Sequence, residues 1–423
     1  MIRLIEANNF RSLRYVRQPL KDFQILIGPN ASGKTTFLDT VAFLGDLLTR
    51  GLDEAITERS ADIHDLFSFR QGTRFELAVE LEIPEKRLAM MGNGRSFETI
   101  RYEIAIGISS DTGEYNIFDE QVILCEREVQ AQQPQRLSFP APLDPPLTIM
   151  HPKSVGHGKK RTVRKVPGGN DSFYSEIESG KSRGGWAPSI RLGARKSGLA
   201  NMPEDETRFP VTTWLREMLI NGTQKLMLNS LALRQSSRPG QGRLFKPDGS
   251  NLPWVIEGLR NDDAARYRLW IEQLQTALPD IEDILTVELP DTRHRFLQIL
   301  YRGGLKVPSW MVSDGTLRML ALTLPAYLTN FEGIYLIEEP ENGIHPVAME
   351  TVYQALRSVY SAQILLATHS PVILGCAEPD EILCFKKDSH GVTDVVSGPD
   401  HPGLQQWRGG LTVSDLYASG VLG

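Results

Sequence analysis

Residues 23–36 read FQILIGPNASGKTT, in which an apolar run leads directly into a glycine-rich turn. Residues 28–35 of this stretch match the phosphate-binding pattern G-x-x-x-x-G-K-[ST] in full. Apolar residues then recur at helical spacing from residue 37 to residue 48, which predicts a helix that begins near Lys34. The stretch therefore predicts a strand, a phosphate-binding turn and a helix in succession, as at the start of a P-loop nucleotide-binding fold.

The turn and the helix start together predict a socket for phosphate groups. Backbone N–H groups and the positive end of the helix attract anions, and Gly28 and Gly33 let the backbone close around them without a Cβ in the way. Lys34 can reach the β- and γ-phosphates of a nucleoside triphosphate, and the Thr35 hydroxyl can hold Mg²⁺. The expected ligands are ATP and Mg²⁺. The predicted nucleotide-binding residues of this turn are Gly28, Asn30, Ala31, Ser32, Gly33, Lys34, Thr35 and Thr36.

Two acidic residues follow a second apolar run much later in the chain. The run GIYLI at residues 333–337 has the length of a strand, and Glu338 and Glu339 come directly after it. P-loop enzymes place one acid on Mg²⁺ and a second residue beside the attacking water. We therefore assign Glu338 to the metal and Glu339 to polarising the water. The alternative is a strand that ends in a solvated acidic turn.

A histidine follows the third apolar run, QILLA at residues 363–367. Ligands of α/β sheets bind in the crevice at the carboxyl ends of the parallel strands, and His369 stands at such an end. His369 is therefore a candidate catalytic residue that hydrogen-bonds either the γ-phosphate or the water. A purely structural histidine is the alternative.

The order of these segments resembles the ABC-type ATPases of the SMC, RecF and OLD group. The resemblance covers roughly residues 1–50 and 290–423, and it implies an α/β P-loop ATPase with a mixed sheet flanked by helices. The segments that carry it are MIRLIEANNFRSL at residues 1–13, VSDGTLR at 312–318, EEPENGIHP at 338–346 and ATHSP at 367–371.

The VSDGTLR segment predicts a second anion site. Ser313 or Asp314 can cap a helix that Pro325 kinks or breaks. The resemblance implies that Ser313 and Gly315 bind the γ-phosphate held by another subunit, so that composite ATP sites form across a homodimer or a higher homo-oligomer. An ordinary capped core helix is the alternative. The resemblance also implies a glutamine that contacts the metal, for which Gln71 is the candidate.

The remaining sequence separates the ATPase core into two parts. Residues 75–83 alternate apolar and polar side chains, which predicts an antiparallel strand with one face in water. We predict an N-terminal ATPase half with the P-loop at residues 1–140, an inserted basic and helical lobe at 141–290, and a C-terminal ATPase half at 291–423.

Composition excludes several classes of protein. The 423 residues are 41% apolar, which is enough for a substantial core. The three cysteines have no paired spacing, so we expect neither disulfides nor a zinc site. We expect cytoplasmic residence and no membrane contact, because the chain shows neither a targeting segment nor an 18-residue apolar run. The net charge of −6 argues against a chain that coats nucleic acid.

Positive charge is nevertheless concentrated at residues 151–200, which contain eleven Lys or Arg residues and only three Asp or Glu residues. Phe173, Tyr174 and Trp186 are interleaved with them. Basic residues with aromatic neighbours can contact phosphates and stack on bases. A nucleic acid or an acidic protein is one possible partner of this segment, and a solvated surface loop is the alternative.

The biological role has two candidate interpretations. OLD-type proteins carry a nuclease domain after the histidine that His369 resembles. Only about fifty residues follow His369 here, fewer than the roughly one hundred of a typical domain. We therefore expect an ATPase that acts as regulator or sensor of a separate effector, a nuclease or toxin, in two-component anti-phage defence. The alternative is a DNA-binding clamp of RecF or SMC type in DNA repair. A transporter ATPase is disfavoured by the EEPEN motif and the insertion.

Overall fold

A computed structural model describes residues 1–91, 97–126, 136–152, 154–166, 168–177, 188–405 and 412–422. Trp186 of the predicted basic segment lies outside these residues. The strands are β1 (Ile2–Phe10), β2 (Leu13–Pro19), β3 (Phe23–Ile27), β4 (Arg74–Glu82), β5 (Phe97–Ile108), β6 (Tyr115–Glu126), β7 (Lys159–Arg164), β8 (Asp171–Phe173), β9 (Ser189–Ile190), β10 (Thr223–Leu226), β11 (Ile281–Glu288), β12 (Arg295–Tyr301), β13 (Lys306–Pro308), β14 (Gly333–Glu338), β15 (Ala362–Ala367), β16 (Ile382–Lys387) and β17 (Thr393–Ser397). The helices are α1 (Lys34–Arg50), α2 (Leu52–Thr57), α3 (Glu85–Met90), α4 (Pro210–Ile220), α5 (Ser230–Arg234), α6 (Leu252–Asp262), α7 (Ala264–Ala277), α8 (Asp314–Thr323), α9 (Pro346–Arg357), α10 (Pro371–Cys376), α11 (Pro402–Gln405) and α12 (Val413–Ala418).

A largely parallel sheet carries the predicted nucleotide motifs. Its order is β10-β14-β15-β3-β16-β17, with β17 antiparallel to β16 and the other neighbours parallel. The three strands predicted from apolar runs are neighbours in the order β14-β15-β3. Because parallel strands end at the same edge of a sheet, the P-loop, the acidic pair and His369 all emerge at one edge.

Both faces of this sheet are covered, which explains why its strands β14, β15 and β3 are largely apolar. Ile25 and Ile27 of β3 belong to one buried cluster, whereas Leu26 belongs to another. The cluster around Leu26 includes α1 and the strands β1, β4 and β5, and the opposite cluster includes helices α6 to α9. The P-loop helix is therefore held between two sheets.

The second sheet is antiparallel, in the order β2-β1-β4-β5-β6-β7-β8-β9. The prediction that residues 75–83 form an antiparallel strand is confirmed, but the prediction of a solvated polar face is wrong at Glu76. This residue is 1% exposed, and its carboxylate accepts hydrogen bonds from the Thr148 hydroxyl at 2.9 Å and the Ile149 N–H at 2.7 Å. A later segment of the chain therefore covers this face, although Glu82 at the end of β4 is exposed.

The middle of the chain contributes to all three sheets of the described residues. Strands β7, β8 and β9 extend the antiparallel sheet, β10 is an edge of the parallel sheet, and β11 belongs to the three-stranded sheet β11-β12-β13. That last sheet crosses the proposed boundary at residue 290, and the division into 1–140, 141–290 and 291–423 stays a prediction. Pro325 lies in a 3₁₀ turn directly after α8, as the predicted break requires. Within the described ranges, no helix is both long and apolar enough to cross a membrane.

Candidate nucleotide-binding site

The P-loop glycines are required by the packing of the turn on the β16–β17 hairpin. Gly28 has φ 146°, and a Cβ there would lie 2.1 Å from the Phe385 carbonyl oxygen. Gly33 has φ 107°, and a Cβ there would lie 2.8 Å from the Thr393 hydroxyl oxygen. Ala31 also has positive φ, at 61°. Sequence reasoning expected glycine for closure around phosphate, and the structure adds a second reason in the contact with strands from the end of the chain.

The other predicted residues of the turn divide by exposure. Asn30, Ala31 and Thr35 are exposed, whereas Ser32 and Thr36 are buried. The Ser32 hydroxyl has no hydrogen-bond partner within the described part of the chain. Asn30, Ala31 and Thr35 are therefore the residues of the turn that a ligand in solvent can reach.

The ammonium group of Lys34 lies over the turn. Its Nζ donates hydrogen bonds to the carbonyl oxygens of Gly28 at 2.7 Å and Pro29 at 3.0 Å. Burial lowers the pKa of Lys34 to about 8, and Glu339 is the strongest of three nearby carboxylates that oppose this shift. A partly desolvated cation above a glycine-rich turn is suited to bind phosphate.

Two of the three residues predicted to contact the metal, Thr35 and Glu338, are in contact with each other. The Thr35 hydroxyl donates to Oε2 of Glu338 at 2.5 Å, which joins the P-loop to the end of β14. The other oxygen, Oε1, forms an ion pair with Nζ of Lys225 at 2.9 Å. Lys225 belongs to β10, whose register pairs it with Leu336 of β14. The structure thus adds a cation that sequence reasoning did not identify.

Glu339 has a backbone conformation that is uncommon for a residue with a side chain. Its φ is 48°, which costs on the order of 1 kcal/mol or more and is typical of functional sites. The Glu339 N–H donates to the Ala367 carbonyl of the neighbouring strand at 2.8 Å. The Asn342 side-chain amide donates to Oε2 of Glu339 at 2.7 Å. This turn holds the carboxylate in a fixed orientation at the sheet edge.

Glu341 joins the acidic turn to the histidine loop. Its carboxylate accepts hydrogen bonds from the Thr368 hydroxyl at 2.9 Å and the His369 N–H at 2.7 Å. Nδ1 of His369 lies 3.0 Å from the Tyr417 hydroxyl oxygen, and that hydroxyl donates to the Gly28 carbonyl at 3.1 Å. The histidine is therefore held from two sides.

The ring of His369 is surrounded by charges of both signs. Burial and the nearby Lys34 ammonium lower the pKa of His369, and the carboxylates of Glu341 and Glu339 oppose this effect. Burial and Lys34 thus favour the neutral form of the imidazole.

Two clefts open at this edge, and Glu339 and Asn342 line both. One has a volume of about 440 Å³ and includes Lys225, Glu338 and Arg318 in its wall. The other has a volume of about 600 Å³ and extends past Asn30, Glu341 and His369. Glu339, Glu341 and His369 therefore line the larger of these two clefts together with Asn30 of the P-loop, whereas Glu338 lines the other.

The VSDGTLR segment at residues 312–318, which we call the signature, contains the start of α8. Ser313, not Asp314, is the N-cap, and its hydroxyl accepts a hydrogen bond from the Thr316 N–H at 3.2 Å. Gly315 packs on the turn after the acidic motif, since a Cβ there would lie 2.4 Å from the Gly343 carbonyl oxygen. Among the described residues, no hydrogen bond joins Ser313 to the P-loop, and the Ser313 side chain is exposed.

Two family models match the chain. Residues 1–136 match the AAA ATPase domain, and residues 186–375 match the AAA domain described as putative AbiEii toxin, Type IV TA system. The chain therefore carries AAA-type ATPase domains over these two ranges. No curated protein sequence matches the chain.

Solved structures of similar fold are heads of SMC proteins. The Smc head bound to the C-winged helix domain of ScpA has a TM-score of 0.50 and 15% sequence identity to the ATPase, over 94% of this chain and 97% of that chain. A Pyrococcus furiosus Smc head domain with an extended coiled coil, bound to the C-terminal domain of ScpA, has a TM-score of 0.50 and 13% identity, over 94% and 96%. The predicted α/β fold of an ABC-type ATPase core is therefore confirmed.

Within the described ranges, no hydrogen bond joins Gln71 to Thr35 or Glu338, the other residues predicted to contact the metal. It follows a 3₁₀ turn and is exposed. Its backbone oxygen accepts a hydrogen bond from the Asn9 side-chain amide at 3.0 Å. Its role as a metal contact in the ATPase stays a prediction.

The basic segment of the ATPase is less exposed than its composition suggested. Lys165 is 3% exposed, forms an ion pair with Asp171 at 3.4 Å and donates to two backbone carbonyls at 2.8 Å. Its assignment to a contact surface is therefore wrong, because this charge is needed inside the fold. Arg191, Lys196 and Tyr174 are exposed and remain candidates for such a surface.

Sequence reasoning missed four residues of the site. Glu341 and Asn342 belong to the EEPEN motif that was already identified, so their positions beside Glu339 were the available signal. Lys225 lies in a four-residue strand and Tyr417 near the end of the chain, and neither has a local pattern that distinguishes it.

Proposed function

We propose that the ATPase binds Mg²⁺ and ATP at the shared edge of β3, β14 and β15 and hydrolyses the nucleotide there. The observation that carries the proposal is the 2.5 Å hydrogen bond between the Thr35 hydroxyl and the Glu338 carboxylate. Both groups offer oxygen atoms, which Mg²⁺ prefers, and Mg²⁺ is usually held by one or two protein groups together with substrate phosphates. The residues at this edge therefore fit Mg²⁺.

Each group at the edge has a distinct part in hydrolysis. Bound Mg²⁺ would neutralise charge that develops on the phosphate oxygens. Lys34 exchanges its two carbonyl partners for the β- and γ-phosphates. Glu339, held by Asn342, polarises the attacking water. His369 contacts either the γ-phosphate or that water.

The simplest test is ATP binding by Lys34→Ala, measured by titration calorimetry. This substitution removes the side-chain cation that lies over the P-loop, and a charge-assisted hydrogen bond contributes about 1.5–3 kcal/mol. Affinity should fall by at least about tenfold. Wild-type affinity in Lys34→Ala would remove the basis of the assignment.

We further propose that two copies of the chain complete each other's sites. The supporting observation is that the capped N-terminus of α8 is exposed at Ser313, which among the described residues forms no hydrogen bond with the P-loop of its own chain. Helix N-termini attract anions, so Ser313 and Gly315 of one copy can meet the γ-phosphate on another. Gly315 contacts the turn after the acidic motif, which connects this contact to Glu339.

Complementation between two inactive variants tests the composite site. A dimer of one Lys34→Ala chain and one Ser313→Arg chain has one site in which an intact P-loop faces an intact signature. A dimer of two identical variant chains has no such site. Mixing the two should restore some ATPase activity. A mixture that stays inactive, with subunit exchange demonstrated by differently tagged chains, argues for a site within one chain.

For the biological role, we propose an OLD-like regulatory subunit that controls a separate nuclease or toxin in anti-phage defence. The match of residues 186–375 to a model whose description names a toxin–antitoxin system supports this role. The SMC-type fold instead favours a DNA-binding clamp in repair as the second candidate. A phage challenge of cells with the intact operon, beside Lys34→Ala, distinguishes them. Protection lost in Lys34→Ala supports defence, and no protection with the intact operon favours repair.

The partner contact can be tested on the exposed cations of the basic segment. Arg191→Gln with Lys196→Gln removes two of them and leaves the buried Lys165 in place. A matched control is Lys86→Gln with Arg268→Gln, two exposed cations elsewhere. If the segment contacts an effector or a nucleic acid, salt-dependent binding should weaken in the first pair alone. Equal binding by both pairs supports a solvated loop.

A further inference from the structure

The end of the chain reaches the predicted catalytic edge through one tyrosine. Tyr417 belongs to α12, whose residues Val413 and Leu416 are buried in the cluster that also contains α10. The Tyr417 hydroxyl lies between two groups of the site, Nδ1 of His369 at 3.0 Å and the Gly28 carbonyl oxygen at 3.1 Å. A helix far along the chain is thereby attached to both the histidine and the P-loop.

The proton of this hydroxyl can be assigned from the chemistry of its partners. A backbone carbonyl has no hydrogen to give, so in the contact with Gly28 the Tyr417 hydroxyl is the donor. A phenol has a single proton. In the contact with His369 the Tyr417 oxygen is therefore the acceptor, and Nδ1 must carry the hydrogen.

This assignment decides what the opposite nitrogen can do. A neutral imidazole has one N–H, so a hydrogen on Nδ1 leaves Nε2 as an acceptor. An acceptor cannot donate to a phosphate oxygen, but it can accept a hydrogen bond from water. The lowered pKa of His369, caused by burial and by Lys34 and opposed by Glu341 and Glu339, agrees with a neutral ring.

We propose that Tyr417 is a positioning residue that fixes His369 with its proton on Nδ1, so that Nε2 accepts a hydrogen bond from the attacking water instead of donating one to the γ-phosphate. The proposal rests on the proposed function for the presence of that water. It selects one of the two roles that the position of His369 alone leaves open.

The same carbonyl also connects this arrangement to Lys34. The Gly28 oxygen accepts from Lys34 Nζ at 2.7 Å as well as from Tyr417, which uses both of its lone pairs. When Lys34 turns to the phosphates, Tyr417 remains as the donor to Gly28, so the tautomer of His369 is retained in the nucleotide-bound ATPase.

The tautomer can be measured without any ATP turnover. In the full-length protein labelled with ¹⁵N-histidine, long-range ¹H–¹⁵N correlation separates protonated from unprotonated ring nitrogens, and the His369→Gln variant assigns the signal among the eight histidines. We expect a protonated Nδ1 and an unprotonated Nε2 in the wild type, and a shift of the proton toward Nε2 in Tyr417→Phe. A proton on Nε2 in the wild type, or an unchanged tautomer in Tyr417→Phe, overturns the proposal.

Turnover provides the second readout. Tyr417→Phe removes the hydrogen bonds to His369 and to Gly28. Loss of the one to His369 should lower kcat roughly three- to tenfold with unchanged ATP affinity, and the substitution should add no loss in a His369→Gln background. Tyr327→Phe is a matched control, because it also removes one hydroxyl with one side-chain hydrogen bond, to Gln273 at 2.8 Å. Additive losses in the double variant overturn the proposed action through His369.

The two measurements separate the inference from the function on which it rests. If His369→Gln hydrolyses ATP at the wild-type rate, the contact between His369 and water is refuted, and so is the catalytic role given to this histidine. The NMR result then still decides whether Tyr417 fixes the tautomer. An ATPase defect in His369→Gln together with the expected tautomer supports both.

Discussion

The affinity of the ATPase for ATP should fall about tenfold between pH 7 and pH 9, because the cation that meets the phosphates titrates in this range. Burial lowers the pKa of Lys34 to about 8, and Glu339, Glu338 and Glu341 oppose the shift without cancelling it. Phosphate stabilises the ammonium form and so raises the pKa of Lys34 in the complex. Binding is therefore strongest below pH 8 and weakens as the pH rises through that value.

The magnitude follows from the charged fraction of the free protein. A group with a pKa of about 8 is roughly nine-tenths protonated at pH 7 and one-tenth protonated at pH 9. If ATP binds the ammonium form of Lys34, the apparent Kd is inversely proportional to that fraction. The ratio is about tenfold, which corresponds to about 1.4 kcal/mol.

Titration calorimetry at constant ionic strength measures this change, with two substitutions of Lys34 as controls. Lys34→Arg keeps its charge throughout the range, and Lys34→Met has no charge to lose. Both should show only the shallow pH dependence that ATP and the other groups contribute. A wild-type slope no steeper than that of Lys34→Met would refute the reasoning.

Three further substitutions test other contacts of the site. Glu339→Gln should retain ATP binding but slow steady-state turnover by roughly 10²-fold or more, and turnover at the normal rate would mean that another group serves. Gly315→Ala should lower the Tm, since its Cβ would lie 2.4 Å from the Gly343 carbonyl and overpacking costs about 1–3 kcal/mol; a higher Tm, as helix propensity alone predicts, would contradict the packing. Lys225→Met removes an ion pair with Glu338 worth about 1 kcal/mol. If Lys225 competes with Mg²⁺ for this carboxylate, half-maximal turnover of Lys225→Met should need about fivefold less Mg²⁺. An unchanged Mg²⁺ concentration at half-maximal turnover would argue against this competition.

The part of the site that depends on local sequence could be predicted. Strand β3 has the predicted bounds Phe23–Ile27, and α1 begins at Lys34. A strand buried on both faces requires a continuous apolar run, and a phosphate-binding turn requires glycine where the backbone has positive φ. Because three such strands are parallel neighbours, their polar ends meet at one edge.

Contacts between distant parts of the chain could not be predicted in this way. The hydrogen bond between Tyr417 and Gly28 joins positions 389 residues apart. The ion pair of Lys225 with Glu338 depends on the register of β10 beside β14. Strand β10 has only four residues between helices, and the sequence around it predicted a helical region. A strand this short has no periodicity that separates it from a turn.

The errors at Glu76 and Lys165 have one physical cause. An ionised side chain needs a partner, and water is only one of the partners that satisfy it. Glu76 accepts hydrogen bonds from Thr148 and Ile149, and Lys165 meets Asp171 and two backbone carbonyls. Polarity along the chain therefore shows that a partner is required, but not whether that partner is solvent, a backbone group or an opposite charge. Removing Lys165 would leave the buried Asp171 without its ion pair, which costs more than the loss of an exposed cation such as Lys196. Any test of the basic segment as a binding surface must therefore retain Lys165, since a variant that lacks it reports on folding as well as on contact.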